Sequence, residues 1–202
     1  FRLALIALLA LTVRVGYIGV AKWSDEVEFS DALYYAVQAQ QIAEGEAFEH
    51  REHDRPAADH APLTEISQAP TAVPHPPHIL LQVIDHAPLT EVYQAPTAFL
   101  FGRSALAVRL VQAVYGTLAV VAIALLARRV AGRDRVALWA ALVAAVYPNL
   151  WAADGVIMAE TLTVLLVAVL LWAVYGFLDH PDGRRALLVG ALAGLAALSR
   201  AE

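Results

Sequence analysis

The sequence predicts an all-α, polytopic membrane helix bundle. Three observations predict it: 59% of the 202 residues are apolar against 16% charged, the apolar residues fall in runs of membrane-crossing length, and arginines gather in the short stretches between runs. A soluble globule must spread polar side chains over its whole surface, and a disordered chain would not be this apolar. The chain has no cysteine. A disulfide framework, a thiolate nucleophile and a Cys-based zinc site are therefore excluded, and any chemistry falls to carboxylates, histidines and arginines.

About five transmembrane helices are expected. The first apolar run extends from Leu3 to Ala21, broken only by Arg14, and ends at the interfacial pair Lys22-Trp23. A second covers Ala105 to Ala127 and is closed by Arg128-Arg129. Shorter runs follow at Val136–Trp151, Thr161–Leu178 and Ala186–Leu198, the last rich in the Ala and Gly that let helices approach closely. Arg128, Arg129, Arg133 and Arg135 lie between runs two and three, and Arg184 and Arg185 between runs four and five. The positive-inside rule makes both stretches cytoplasmic. With a cytoplasmic N-terminus in the plasma membrane, residues 22–104 and the segment around 151–160 are then extracytoplasmic.

The ends read as cuts: Phe1 is not an initiator methionine, and Glu202 arrives as the fifth run finishes. Residues 1–202 are expected to be one transmembrane domain, truncated at its C-terminus. A signal-peptide reading of the first run is disfavoured, because the run is longer than an h-region and lacks a small-x-small cleavage site before Lys22.

The first extracytoplasmic loop, 22–104, holds thirteen of the nineteen acidic residues and six of the seven histidines. Within it Ser30–Glu44 has a helical apolar period, with Ser30 or Asp31 as N-cap and Gly45 as the stop. Such an amphipathic helix would lie along the membrane surface, with Tyr34 and Tyr35 at headgroup level. The loop also repeats itself. DHAPLTEISQAPTA at 59–72 returns as DHAPLTEVYQAPTA at 85–98. A solenoid needs at least three stacked units, so a recent duplication or an artefact of sequence assembly is the simpler account.

Taken in order, several motifs carry a resemblance: an Asp ahead of a Tyr pair in SDALYY, a His-x-Pro-Leu element at His86–Leu89, AVRL opening the second span and ARRVAGR closing it, then VYPNLW, Asp154 and AETL. The chain resembles the N-terminal part of a GT-C superfamily glycosyltransferase, similar to bacterial relatives of protein O-mannosyltransferases and aminoarabinose transferases. That resemblance implies transfer, with inversion, of a sugar from a polyprenyl-phosphate carrier to a protein, lipid or glycan acceptor outside the membrane. The bilayer is the remaining partner; no nucleic acid is implied.

By resemblance the catalytic carboxylate is Asp31, with Asp25 and Glu26 as alternatives and Tyr34 and Tyr35 beside it. Chemistry agrees, since inverting transfer needs a base within reach of the acceptor hydroxyl, opposite the departing phosphate. The plainer reading of Asp31 is a helix cap, and one residue can serve both ends. Asp154 and Glu160 are supporting or acceptor-binding candidates, Glu160 also suiting the first turn of a helix. The departing phosphate calls for a cation. His86, Arg109, His75 and Arg200 are the candidates, with Arg103 and His60 behind them, and snorkelling toward headgroups is the ordinary account of Arg109. His86-Ala87-Pro88-Leu89 resembles the family's Lys- or His-Pro-Pro-Leu element, and its spacing to Gly102 favours the second repeat copy as the native one.

No metal is assigned. His50, His53, Asp54, His75 and His78 invite a zinc reading but match no familiar spacing, and a divalent cation on the lipid phosphate near Asp31 is a second metal reading. Two other function classes stay open: half of a transporter, to which an intramembrane Arg14 would suit, and a membrane scaffold with an outer interaction loop.

Overall fold

A computed structural model describes residues 1–23, 39, 88–101, 104–157 and 159–199, all of whose regular structure is helical. The described helices are α1 (Arg2–Ala21), α2 (Pro88–Phe101), α3 (Ala105–Ala131), α4 (Asp134–Val146), α5 (Pro148–Ala153), α6 (Glu160–Asp179) and α7 (Gly183–Leu198). The expected helix at Ser30–Glu44 falls outside the described residues, apart from Ala39, which is helical and buried.

Helix α3 is the central member, packed on α6, α4 and α1, and local chemistry sets its ends. Ser104 accepts a hydrogen bond from the Ala107 amide at 3.3 Å. At the other end Gly132 adopts φ 65°, and its amide returns to the Arg128 carbonyl at 2.8 Å. Arg128 and Arg129 in the last turn complement the helix dipole. Small residues let the neighbours close in: Ala10, Val120, Ala124, Ala141, Ala144 and Ala145 form the main apolar cluster.

Among the described residues three helices, α1, α3 and α6, are long and apolar enough to cross a membrane. The other two expected spans are helical but shorter. The run at 136–151 is not one helix: Pro148 holds Tyr147 extended, at ψ 117°, and begins the six-residue α5. Helix α7 has 16 residues, capped by Asp182 accepting from the Arg185 amide at 2.9 Å.

The ends of the bundle differ chemically. At one, Arg128 pairs with Asp134 and Arg129 with Asp179, the Arg129 guanidinium also lying 5.3 Å over the Trp172 ring. At the other, α1 delivers Lys22, α3 starts, α5 stops and α6 begins. Helix α2 was not foreseen, because Pro96 inside a polar loop reads as a breaker. It takes in residues 88–98 of the second repeat copy and is seated by buried Gln94, Ala95, Thr97 and Ala98. The first copy has the same four residue types at 68, 69, 71 and 72, but Ser67 where the second has Tyr93. The Tyr93 hydroxyl accepts from Gln112 Nε2 at 2.9 Å, and its ring stands edge-on to Tyr115 at 5.3 Å. Tyr93→Ser is therefore expected to destabilise α2 by about 2–4 kcal/mol, read as faster amide exchange confined to 88–101; unchanged exchange there would discount the anchor.

Candidate functional site

The site forms where α1, α3, α5 and α6 meet around the turn that follows α5. Seven residues before its Ala21 end, α1 places Arg14 inside the bundle, 1% exposed. Its Nε lies 2.7 Å from Asp154 Oδ2, and its Nη1 donates to the Ala10 carbonyl at 3.1 Å. Asp154 is 0% exposed, and its other oxygen accepts from the Thr161 hydroxyl at 2.7 Å. Helix α3 contributes room rather than a side chain. A Cβ at Gly116 would stand 2.6 Å from Arg14 Nε and 2.6 and 2.8 Å from the two Asp154 oxygens.

Arg109 of α3, 4% exposed, grips the same turn from the other side. Its Nε donates to the Gly155 carbonyl at 3.0 Å and its Nη1 to the Lys22 carbonyl at 2.7 Å. Gly155 lies flush on α1, where a Cβ would be 2.7 Å from the Tyr17 ring. Two residues on, Ile157 is buried against Val108 with φ 56°, a conformation that costs a β-branched residue about 1–3 kcal/mol and persists only where its surroundings over-determine it. The turn is thus held by two guanidiniums, a hydroxyl and a packed side chain.

Beside it runs a small cleft of about 40 Å³, with Arg14, Asn149, Glu160 and Thr161 as its polar lining residues. Glu160 opens α6 and is half-buried; its Oε2 has no hydrogen-bond partner among the described residues. The two acids that were paired in the sequence reading therefore separate. Asp154 is engaged by Arg14 and Thr161, whereas Glu160 lines the cleft. Burial pushes the Asp154 carboxyl up to about 6, with the Thr161 hydrogen bond and the Arg14 charge pulling it back toward its ordinary range.

Arg109 does not snorkel: it turns inward to carbonyls, where a buried guanidinium finds the acceptors it needs. Asp25, Glu26, Asp31, Tyr34, Tyr35, His60, His75, His86, Arg103 and Arg200 lie outside the described residues, as do the histidines of the zinc reading. No group of three side chains among the described residues is arranged to hold a metal. Sequence reasoning missed the roles of Arg14, Gly116 and Thr161. An arginine inside an apolar run was the available signal, since such a charge needs a partner, but its partner lies 140 positions away.

Neither the curated proteins nor the solved structures gave a match. A family model does match, over residues 85–202, beginning at the first residue of the second repeat copy and taking in α2 to α7 with Arg109, Asp154 and Glu160. Its description is dolichyl-phosphate-mannose-protein mannosyltransferase. With more than half of the chain matched, on an all-helical bundle with membrane-length spans, the protein belongs to that family of membrane glycosyltransferases.

Proposed function

We propose that the protein is an inverting glycosyltransferase that moves a sugar from a polyprenyl-phosphate carrier to an acceptor hydroxyl at the outer face of the plasma membrane. The family match carries this reading, and the geometry is consistent with it. The root of the 22–104 segment, at Lys22, and the turn bearing Asp154 meet at one end of the bundle through Arg109. The arginine-rich stretches lie at the other end, which the positive-inside rule makes cytoplasmic.

The step proposed is direct. The acceptor oxygen bonds to the anomeric carbon as the bond from that carbon to the carrier phosphate breaks. Asp31 takes the hydroxyl proton, and polyprenyl phosphate leaves with the bonding electrons. His86, His75 and Arg200 are the cations proposed near that phosphate. Glu160, which lines the cleft and whose Oε2 has no hydrogen-bond partner among the described residues, orients the incoming alcohol by accepting a hydrogen bond.

The full chain in lipid vesicles, given a polyprenyl-phosphate sugar and a hydroxyl acceptor, should form product with inverted anomeric configuration. Retained configuration, or transport of the sugar without transfer, would overturn the proposal. Glu160→Gln is expected to raise the acceptor KM by about tenfold, the worth of roughly one hydrogen bond to a charged group, while the donor KM stays put. An unchanged acceptor KM would remove Glu160 from the site.

A further inference from the structure

We propose that Arg109 is a positioning residue that locks the root of the 22–104 segment to the turn at 154–157, so that the two stretches beyond the bundle share one register. Its guanidinium hydrogen-bonds to both, beside a packing contact in which the Lys22 side chain lies against Gly155, its Cγ 3.2 Å from where a Cβ would stand. One nitrogen serves the Lys22 carbonyl, where the chain leaves α1, and another serves the Gly155 carbonyl, directly after the Arg14-paired Asp154. The rest of the turn is already immobilised. Asp154 is fastened to α1 and α6, Gly155 is pressed on Tyr17, and Ile157 is wedged against Val108, the residue preceding Arg109. Arg109 passes that fixed position on to Lys22. A planar guanidinium suits the task, because Nε and Nη1 leave it in fixed, diverging directions and can address two separate carbonyls; a lysine ammonium is a point charge without that fork.

The catalytic consequence rests on the transferase reading above, since three residues past Lys22 begin the acidic candidates Asp25, Glu26 and Asp31. A lock of this kind acts on turnover through the placement of the base. A cation binding the donor phosphate, the role the sequence suggested for Arg109, acts on donor affinity.

The test uses spin labels on the full chain in lipid vesicles. The chain has no cysteine of its own, and Trp23 and Val156, both exposed, flank the two gripped carbonyls. In the Trp23→Cys, Val156→Cys background the label distance should be a single narrow distribution. Arg109→Lys should broaden it, and Arg109→Ala should broaden it further; should the Ala variant fail to fold, the Lys variant alone decides. A distribution as narrow as the parent's in Arg109→Lys would overturn the lock. In transfer assays Arg109→Lys should lower kcat by about tenfold or more with the donor KM within about twofold, whereas a raised donor KM with an unchanged distribution would make Arg109 a phosphate ligand instead. If the chain transfers no sugar at all, the functional reading fails, and the distance measurement still decides the lock.

Discussion

Asp31→Asn is expected to lower sugar transfer by about 10²–10⁴-fold, the usual contribution of a positioned general base, while the protein still folds and inserts. Asparagine keeps the side-chain shape and serves as a helix cap as well as aspartate does. Whatever Asp31 contributes as a cap therefore survives, and only its capacity to accept the acceptor's proton is lost. Measured as turnover at saturating donor and acceptor, the loss should appear in kcat. Wild-type turnover in Asp31→Asn would discard it as the base and turn attention to Asp25 and Glu26, whose Asn and Gln variants form the matched comparison. Asp31→Ala separates the two roles further, because it removes the cap as well and should add a loss of about 1 kcal/mol in stability.

Asp154→Ala carries the largest expected cost in stability, about 3–5 kcal/mol. It removes the carboxylate paired with the buried Arg14 guanidinium beside Gly116 and leaves that charge uncompensated. Unfolding in mixed micelles measures the cost, and a loss under about 1 kcal/mol would show that water or lipid headgroups reach the pair. Removing both charges together, as Arg14→Met with Asp154→Leu, should recover most of the loss, since the desolvation of a buried pair commonly cancels its attraction. The pH dependence points the same way. Burial holds the Asp154 carboxyl at about 6, above its ordinary value near 4, so the folded chain binds that proton more tightly than the unfolded chain. Through this group stability is fully present below about pH 4 and is lost as pH rises through about 6. Acidification from pH 7 to 5 should therefore stabilise the parent through Asp154, and the Asp154→Ala variant should lack that increment. The opposite slope would mean that the Arg14 charge outweighs burial.

The double variant also separates stability from function. A buried ion pair that adds little stability is accounted for by what it positions, and this one pins the start of the turn that Arg109 connects to Lys22. Arg14→Met with Asp154→Leu is thus expected to fold well and to transfer poorly.

The bundle was legible in the sequence because burial in lipid leaves a one-dimensional trace: an unbroken apolar run has to become a helix when no water is present to satisfy its backbone. Leu3–Ala21, Ala105–Ala127 and Thr161–Leu178 were readable for that reason, and the structure extends each by one to four residues, the second as far as its Gly132 cap. The break at Pro148 has a local signal too, a proline within a run already short for a span. Helix α2 was hidden by Pro96, which sits inside the helix and forfeits a backbone hydrogen bond there, a cost offset by the burial of its neighbours Gln94, Ala95, Thr97 and Ala98.

By itself, then, the sequence determined the membrane class, the three long spans, the two-ended charge pattern and, through the order of its motifs, the family. All of these are set by residues close together along the chain. Tertiary structure alone decided which polar groups act on one another: that Arg14 meets Asp154 across 140 positions, that Gly116 clears the space between them, and that Arg109 joins Lys22 to Gly155. The reason is that a charge in an apolar run announces its need for a partner but carries no mark of which one. Only the packing of α1, α3 and α6 brings a particular carboxylate or carbonyl within 3 Å.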